Sequence, residues 1–149
     1  MPLSSLLDIE LSVSDPEELA AFWERRGMHQ TEQGVLGTED RDTQLRITEG
    51  SYRHMSELHL GCDNEQDLTG IATSLRDLGV EPTIQGTRLT CTDPVFGHQV
   101  VIDVAEPHPL TPTQERAFNP PGKQNRVNTR ADAVWRTRHA RLAALVTSS

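Results

Sequence analysis

The chain has 149 residues, 35% of them hydrophobic, with a formal net charge of -8. One domain fits that length, and the low apolar share predicts a modest core under a polar surface. The acidic balance argues against a general nucleic-acid binder, and no apolar run is long enough to span a membrane.

In chain order, residues 6–13 alternate as a half-buried strand, with Ile9, Leu11 and Val13 inward and Asp8, Glu10 and Ser12 on the other face. The start carries no basic or long apolar leader, so no signal peptide is expected. Ser14-Asp15-Pro16-Glu17-Glu18 reads as a helix start: a capping side chain, an early proline, and acids at the positive end of the dipole. That helix runs to Gly27. Strands are predicted over 28–31, 34–38 and 44–48, with 39–42 as a polar turn and 49–55 as a linker.

A second run of elements follows. Glu57-Leu58-His59-Leu60-Gly61-Cys62 is a strand with Leu58, Leu60 and Cys62 inward. Residues 67–79 carry Leu68, Ile71, Leu75 and Leu78 at helical spacing, with Gly79 as the stop. Short strands follow near 82–85 and 88–92. Asp93-Pro94 and Gly97 mark a turn, and 99–104 alternate again, with Val100, Ile102 and Val104 inward and Gln99, Val101 and Asp103 outward. Residues 8–15 align with 57–64, and Leu19 and Phe22 with Leu68 and Ile71, so the unit strand–helix–three strands occurs twice, over about 6–50 and 56–105.

Beyond Ala105 the composition changes. Residues 106–122 contain Pro107, Pro109, Pro112, Pro120 and Pro121 and read as an extended arm; 133–146 read as a terminal helix with Val134, Trp135, Leu142 and Leu145 as a loose apolar stripe. From Thr111 on, seven basic residues face two acidic ones, which leaves the rest of the chain near -13. Such a basic tail suits either solvent or an acidic surface, on the same chain or on a second copy. Cys62 and Cys91, both on predicted strands, suit buried thiols in a reducing cytoplasm better than a disulfide or a metal pair.

Val13-Ser14-Asp15 leading into Leu19-Ala20-Ala21-Phe22-Trp23, Leu75-Arg76-Asp77-Leu78-Gly79-Val80, and Asp93-Pro94 with Gly97 carry a resemblance over roughly residues 6–106. The chain resembles the vicinal oxygen chelate superfamily of glyoxalase I, bleomycin-resistance proteins and type I extradiol dioxygenases, most of all the N-terminal domain of the last. The resemblance implies an α+β fold in which two βαβββ modules form a cup, here within residues 1–106, with 107–149 as the appended Pro-rich arm and helix. It also implies a small phenolic or oxygen-rich ligand and a homodimer. In the superfamily's metal-dependent members, ligands come from first and last strands of the modules. The matching first-strand positions here are Asp8 and Glu57, and the last-strand position is Val101, which cannot ligate a metal. The usual triad of two histidines and a carboxylate is therefore absent from its usual place.

Strand parity nevertheless puts Asp8, Glu10, Arg46, Glu57, His59, Gln99 and Asp103 on one face. Three readings of that face stay open. It is a wet polar surface or subunit contact. It is a displaced Fe, Mn or Zn site built from Glu10, His59 and Asp103. Or it is a metal-free site in which His59 is the general base, oriented by Glu57 or Asp103, while Arg46 and Asp8 bind ligand. Function accordingly divides between an enzyme of this superfamily and a non-catalytic binding, resistance or accessory protein. His29 is a weaker candidate for the same face, and His54, His98, His108 and His139 are expected to be solvated.

Overall fold

The structure is a computed structural model that describes residues 3–39, 41–106 and 121–122. The arm, apart from Glu106, Pro121 and Gly122, and the terminal helix lie outside the described residues, as do His108 and His139. The first module consists of β1 (Leu3–Val13), α1 (Pro16–Arg25), β2 (His29–Glu32), β3 (Val35–Gly37) and β4 (Leu45–Glu49). The second consists of β5 (His54–Cys62), α2 (Glu65–Asp77), β6 (Thr83–Gln85), β7 (Arg88–Thr92) and β8 (Gln99–Val104). All eight strands form one sheet, in the order β2-β3-β4-β1-β5-β8-β7-β6. β1 and β5 pair antiparallel at its centre, while β1–β4 and β5–β8 are parallel. The second half of the order repeats the first in reverse, which confirms the duplicated βαβββ plan.

Local chemistry sets the helix limits. The Asp15 carboxylate accepts from the Glu18 N–H at 2.8 Å, and Pro16 opens α1. Asn64 caps α2 by accepting from the Asp67 N–H at 2.9 Å and donates back to the Asp67 carboxylate at 2.8 Å. Gly27 and Gly79, at φ 104 and 80, take the left-handed turn that ends each helix.

Each helix covers its own core. Ile9, Val13, Leu19, Ala20, Met28, Leu36, Leu45 and Ile47 are buried under α1, with Trp23 packed against them. Cys62, Leu68, Ile71, Ala72, Leu89, Cys91 and Ile102 are buried under α2. Both thiols are free, and burial pushes both up from the ordinary cysteine value. Ile9 pairs with Leu58 across the central strands, and both pack into the first core. The two helices therefore share one side of the sheet, and among the described residues the other side carries none.

Several sequence expectations need adjustment. β1 begins at Leu3 rather than near residue 6, and β5 begins at His54, which shortens the linker to residues 50–53. The cause is the long β1–β5 ladder, where Ser12 pairs with His54 and Leu3 with Cys62. Leu78, expected on the apolar stripe of α2, caps the helix and is 80% exposed. His98, expected in solvent, is buried beside Phe96, and its carbonyl accepts from the Asp93 N–H at 2.9 Å. Among the described residues no helix is long and apolar enough to cross a membrane.

Candidate functional site

The helix-free face gathers charge at the sheet's centre. Parity alone explains which residues arrive there. Ile9, Leu45, Leu58 and Ile102 are turned to the cores, so their strand neighbours Asp8, Glu10, Arg46, Glu57, His59, Val101 and Asp103 face the other way. The ladder then sets Asp8 opposite His59 and Glu10 opposite Glu57 across β1–β5, Glu10 beside Arg46 on β4, and His59 beside Val101 on β8.

Arg46 is surrounded by carboxylates. Its Nε and Nη2 both lie 2.8 Å from Asp8 Oδ1, its Nη1 donates to Glu10 Oε2 at 2.7 Å, and Nη2 also donates to Glu57 Oε1. The Ser56 hydroxyl supports Glu10 by donating to Oε1 at 2.7 Å. His59 is clamped on both sides, with Nδ1 2.8 Å from Asp8 Oδ2 and Nε2 2.7 Å from Asp103 Oδ2. Asp103 is gripped in turn by Arg88, which donates from Nε at 2.8 Å and Nη2 at 2.7 Å. The result is one continuous chain of contacts, from Arg88 through Asp103, His59 and Asp8 to Arg46 with Glu10 and Glu57.

A histidine can bond to two carboxylates through both nitrogens only as the imidazolium, because a neutral ring has one donor. Electrostatics agrees. The bond to Asp8 raises the His59 pKa above its ordinary value, against the opposing effect of burial, and Asp103 adds to the rise. Burial works to raise the Asp8 carboxyl, but His59 and Arg46 overcome it and hold the group below its usual range. Arg88 does the same for Asp103, against burial and with help from His59. Burial opposes the Arg46 charge, and Glu57 and Asp8 more than restore it. With His59 charged, four carboxylates meet three cations, so the network keeps one net negative charge.

The residues singled out from sequence have therefore mostly come together. Asp8, Glu10, Arg46, Glu57, His59 and Asp103 share one network, while Gln99 stands apart and donates to Thr92 Oγ1 at 2.9 Å. His29 lies exposed on β2, and His54 is exposed and stacked on Tyr52. Arg88 and Ser56 were missed. Arg88 was legible: Leu89 and Cys91 point to the core, which puts Arg88 on the polar face, one strand from Asp103.

The ligand atoms of Asp8, Glu57 and His59 lie within 4.8 Å of one another, close enough in distance for a metal ion. Both Asp8 oxygens, Glu57 Oε1 and both His59 nitrogens already have partners. A metal needs a deprotonated imidazole nitrogen with a free lone pair. In the alternative set, Glu10 is held by Arg46 and Ser56, and His59 and Asp103 are bonded to each other.

Beside Arg46 the same face opens into a groove of about 540 Å³, lined by Thr31, Glu32, Val35, Asp42, Thr43 and Arg46. Cavities of about 260 and 510 Å³ flank α1, the first reaching Phe22 and Arg53 and the second Gln30 and Glu49.

No protein-family model matches the chain, and no curated protein does. Solved structures do. The catechol dioxygenase BphC superposes with a TM-score of 0.61 at 14% identity over 76% of this chain and 42% of that one. A catechol 2,3-dioxygenase gives 0.59 at 15% identity over 76% and 46%. The Mn(II)-bound glyoxalase from Novosphingobium aromaticivorans gives 0.57 at 15% identity over 76% and 43%. The chain thus has the vicinal oxygen chelate fold, and it spans less than half the length of the proteins it matches.

Proposed function

We propose that the chain binds a small phenolic or other oxygen-rich metabolite on the helix-free face of its sheet, without the usual extradiol metal chemistry. The observation that carries this reading is the geometry of His59, whose two nitrogens lie 2.8 Å from Asp8 and 2.7 Å from Asp103, an arrangement that favours the imidazolium. Such a ring neither ligates a metal nor accepts a proton. The groove beside Arg46 suits a neutral ligand with hydroxyl groups: the carboxylates of Glu32 and Asp42 accept from phenolic O–H groups, and so does the oxygen of Thr31, whose own proton goes to the Val35 and Asp42 carbonyls. An anion is disfavoured, because Arg46 is already committed to three carboxylates. Solved structures of this fold include proteins named for catechol and 2,2',3-trihydroxybiphenyl, which motivates the phenolic class.

Calorimetric titration with catechol and 2,2',3-trihydroxybiphenyl tests this. Saturable binding of one ligand per chain, weakened by Glu32→Gln or Asp42→Asn, is expected. No binding by either compound, or iron-dependent ring cleavage, would overturn it. A second reading, turnover by acid–base chemistry, rests on the proton that His59 holds between two carboxylates; it requires turnover that His59→Gln abolishes while binding persists.

Two further parts of the proposal concern assembly and place. A homodimer would bring the total length near that of the matched proteins, whose lengths are more than double the matched part. Light scattering of the full chain, and of a version ending at Glu106, decides whether it pairs and whether the tail contributes. Two buried free thiols suit the cytoplasm.

A further inference from the structure

We infer that the Arg46 guanidinium is a built-in cation, filling a space among Asp8, Glu10 and Glu57 that would otherwise take a divalent metal ion. The inference deepens the metal-free part of the reading above and rests on it. Its first support is register. Arg46 stands beside Glu10 in the parallel pair of β1 and β4, and Val101 stands beside His59 in the parallel pair of β5 and β8. Laying one module on the other puts Asp8 on Glu57, Glu10 on His59, and Arg46 on Val101. Arg46 is therefore the first module's residue at the last-strand position, where the second module has valine.

The second support is contact. From that position Arg46 reaches both first-strand positions at once, Asp8 and Glu57, and adds Glu10. A guanidinium offers five N–H donors in a fixed plane, enough to serve several carboxylates without water. It delivers what a bound cation would deliver: it neutralises converging carboxylates from different strands and ties those strands together. The third support is what remains for an ion. With Arg46 in place, Asp8 and Glu57 have no shared vacancy, and His59 is closed off by Asp103. Without it, three carboxylates would converge on an emptied space, a donor set for a hard divalent cation.

The side chain of Arg46 is 28% exposed, so its removal leaves the cores intact and the space reachable from solvent. The experiment compares full-length wild type with Arg46→Ala and Arg46→Met, the second of which keeps the apolar stem. Free Mn(II) is followed by electron paramagnetic resonance and fold by circular dichroism. Wild type is expected to leave the Mn(II) signal unchanged at concentrations where both variants take up one equivalent, with a gain of at least about tenfold in affinity. Glu10→Gln placed in the Arg46→Met background should weaken that uptake. Arg88→Ala, which removes a cation from the far end of the same network, should leave Mn(II) binding as in wild type. A variant that folds only when Mn(II) is added supports the inference equally. Wild type that takes up one equivalent as tightly as the variants overturns it. So do folded variants with no gain, variants that Mn(II) cannot fold, or an equal gain in Arg88→Ala. A negative ligand titration leaves these outcomes untouched, so failure of the binding reading and failure of this one are separable.

Discussion

The two modules share a scaffold and differ in where their charge comes from. In the first, the cation rises from β4, next to the central strand: Arg46 sits among Asp8, Glu10 and Glu57. In the second, the equivalent place on β8 holds Val101, buried beside His59, and the nearest arginine comes from one strand further out, where Arg88 reaches back to Asp103. The first module therefore serves carboxylates on both sides of the central seam, while Arg88 serves one carboxylate within its own half. Duplication preserved position and parity, which the backbone dictates. It did not preserve charge, which a single side chain can reverse.

Breaking either core tests how far the halves are one object. Leu36 and Leu89 are fully buried, one in each core, and truncating either to alanine should cost about 2–5 kcal/mol. Denaturant unfolding should stay a single transition in both variants. Two separated transitions in either would mean that the seam does not couple the modules.

Placing a charge at the matching position of the second module should be costly as well. Val101→Glu puts a carboxylate at a buried position beside an imidazolium whose nitrogens are both taken. A loss of about 2–4 kcal/mol is expected in chelator, measured by urea unfolding. A neutral result would show that the second module accepts charge at that position.

Acidity sharpens the comparison at the seam. The raised His59 value means its contribution is fully present below the ordinary imidazole value of 6.5 and is lost as pH rises through the folded value. Asp8 and Asp103, held below the carboxyl value of 3.8, contribute above that value and fail as pH falls through their lowered values. Stability should therefore fall on both sides of a mildly acidic plateau, with an alkaline slope of at most about 1.4 kcal/mol per pH unit from His59. Unfolding measured across pH should show that slope in wild type and lose it in His59→Gln; equal slopes would sink the clamped-imidazolium reading. The smallest effect belongs to Arg88→Ala. Its side chain is 55% exposed, so the pair with Asp103 should contribute no more than about 1 kcal/mol by thermal unfolding.

Much of this was legible in the sequence because strands report their faces. Alternation around Ile9, Leu58 and Ile102 placed Asp8, Glu10, Glu57, His59 and Asp103 on one side before any coordinates, and the repeat gave both modules. Pairing was not legible, since parity names a face but not a partner. The expected trio of Glu10, His59 and Asp103 assumed partners that parity cannot supply, whereas the ladder sets His59 opposite Asp8 and Glu10 beside Arg46. Protonation was hidden for the same reason: His59 carries its proton because carboxylates from two different strands flank it. Strand ends were misjudged where β1 and β5 extend each other. The burial of His98 depends on a turn that closes over it, which no periodicity announces.

The ladder also bears on the order in which the polypeptide visits its modules. Leu3, at the start of β1, pairs with Cys62 from one side of β5, and Val104, at the end of β8, pairs with it from the other. Two strand spacings separate these points, about 10 Å. In a version from which residues 106–149 are removed, a bridge of a few residues could join them while the chain is reopened at residues 50–53, so that synthesis runs through the second module first. Every strand would keep its neighbours, and the sheet should form from that circular permutant as it does from the natural order. Connectivity at the seam is in that sense interchangeable, and what ties the halves together is the ladder and the charges across it.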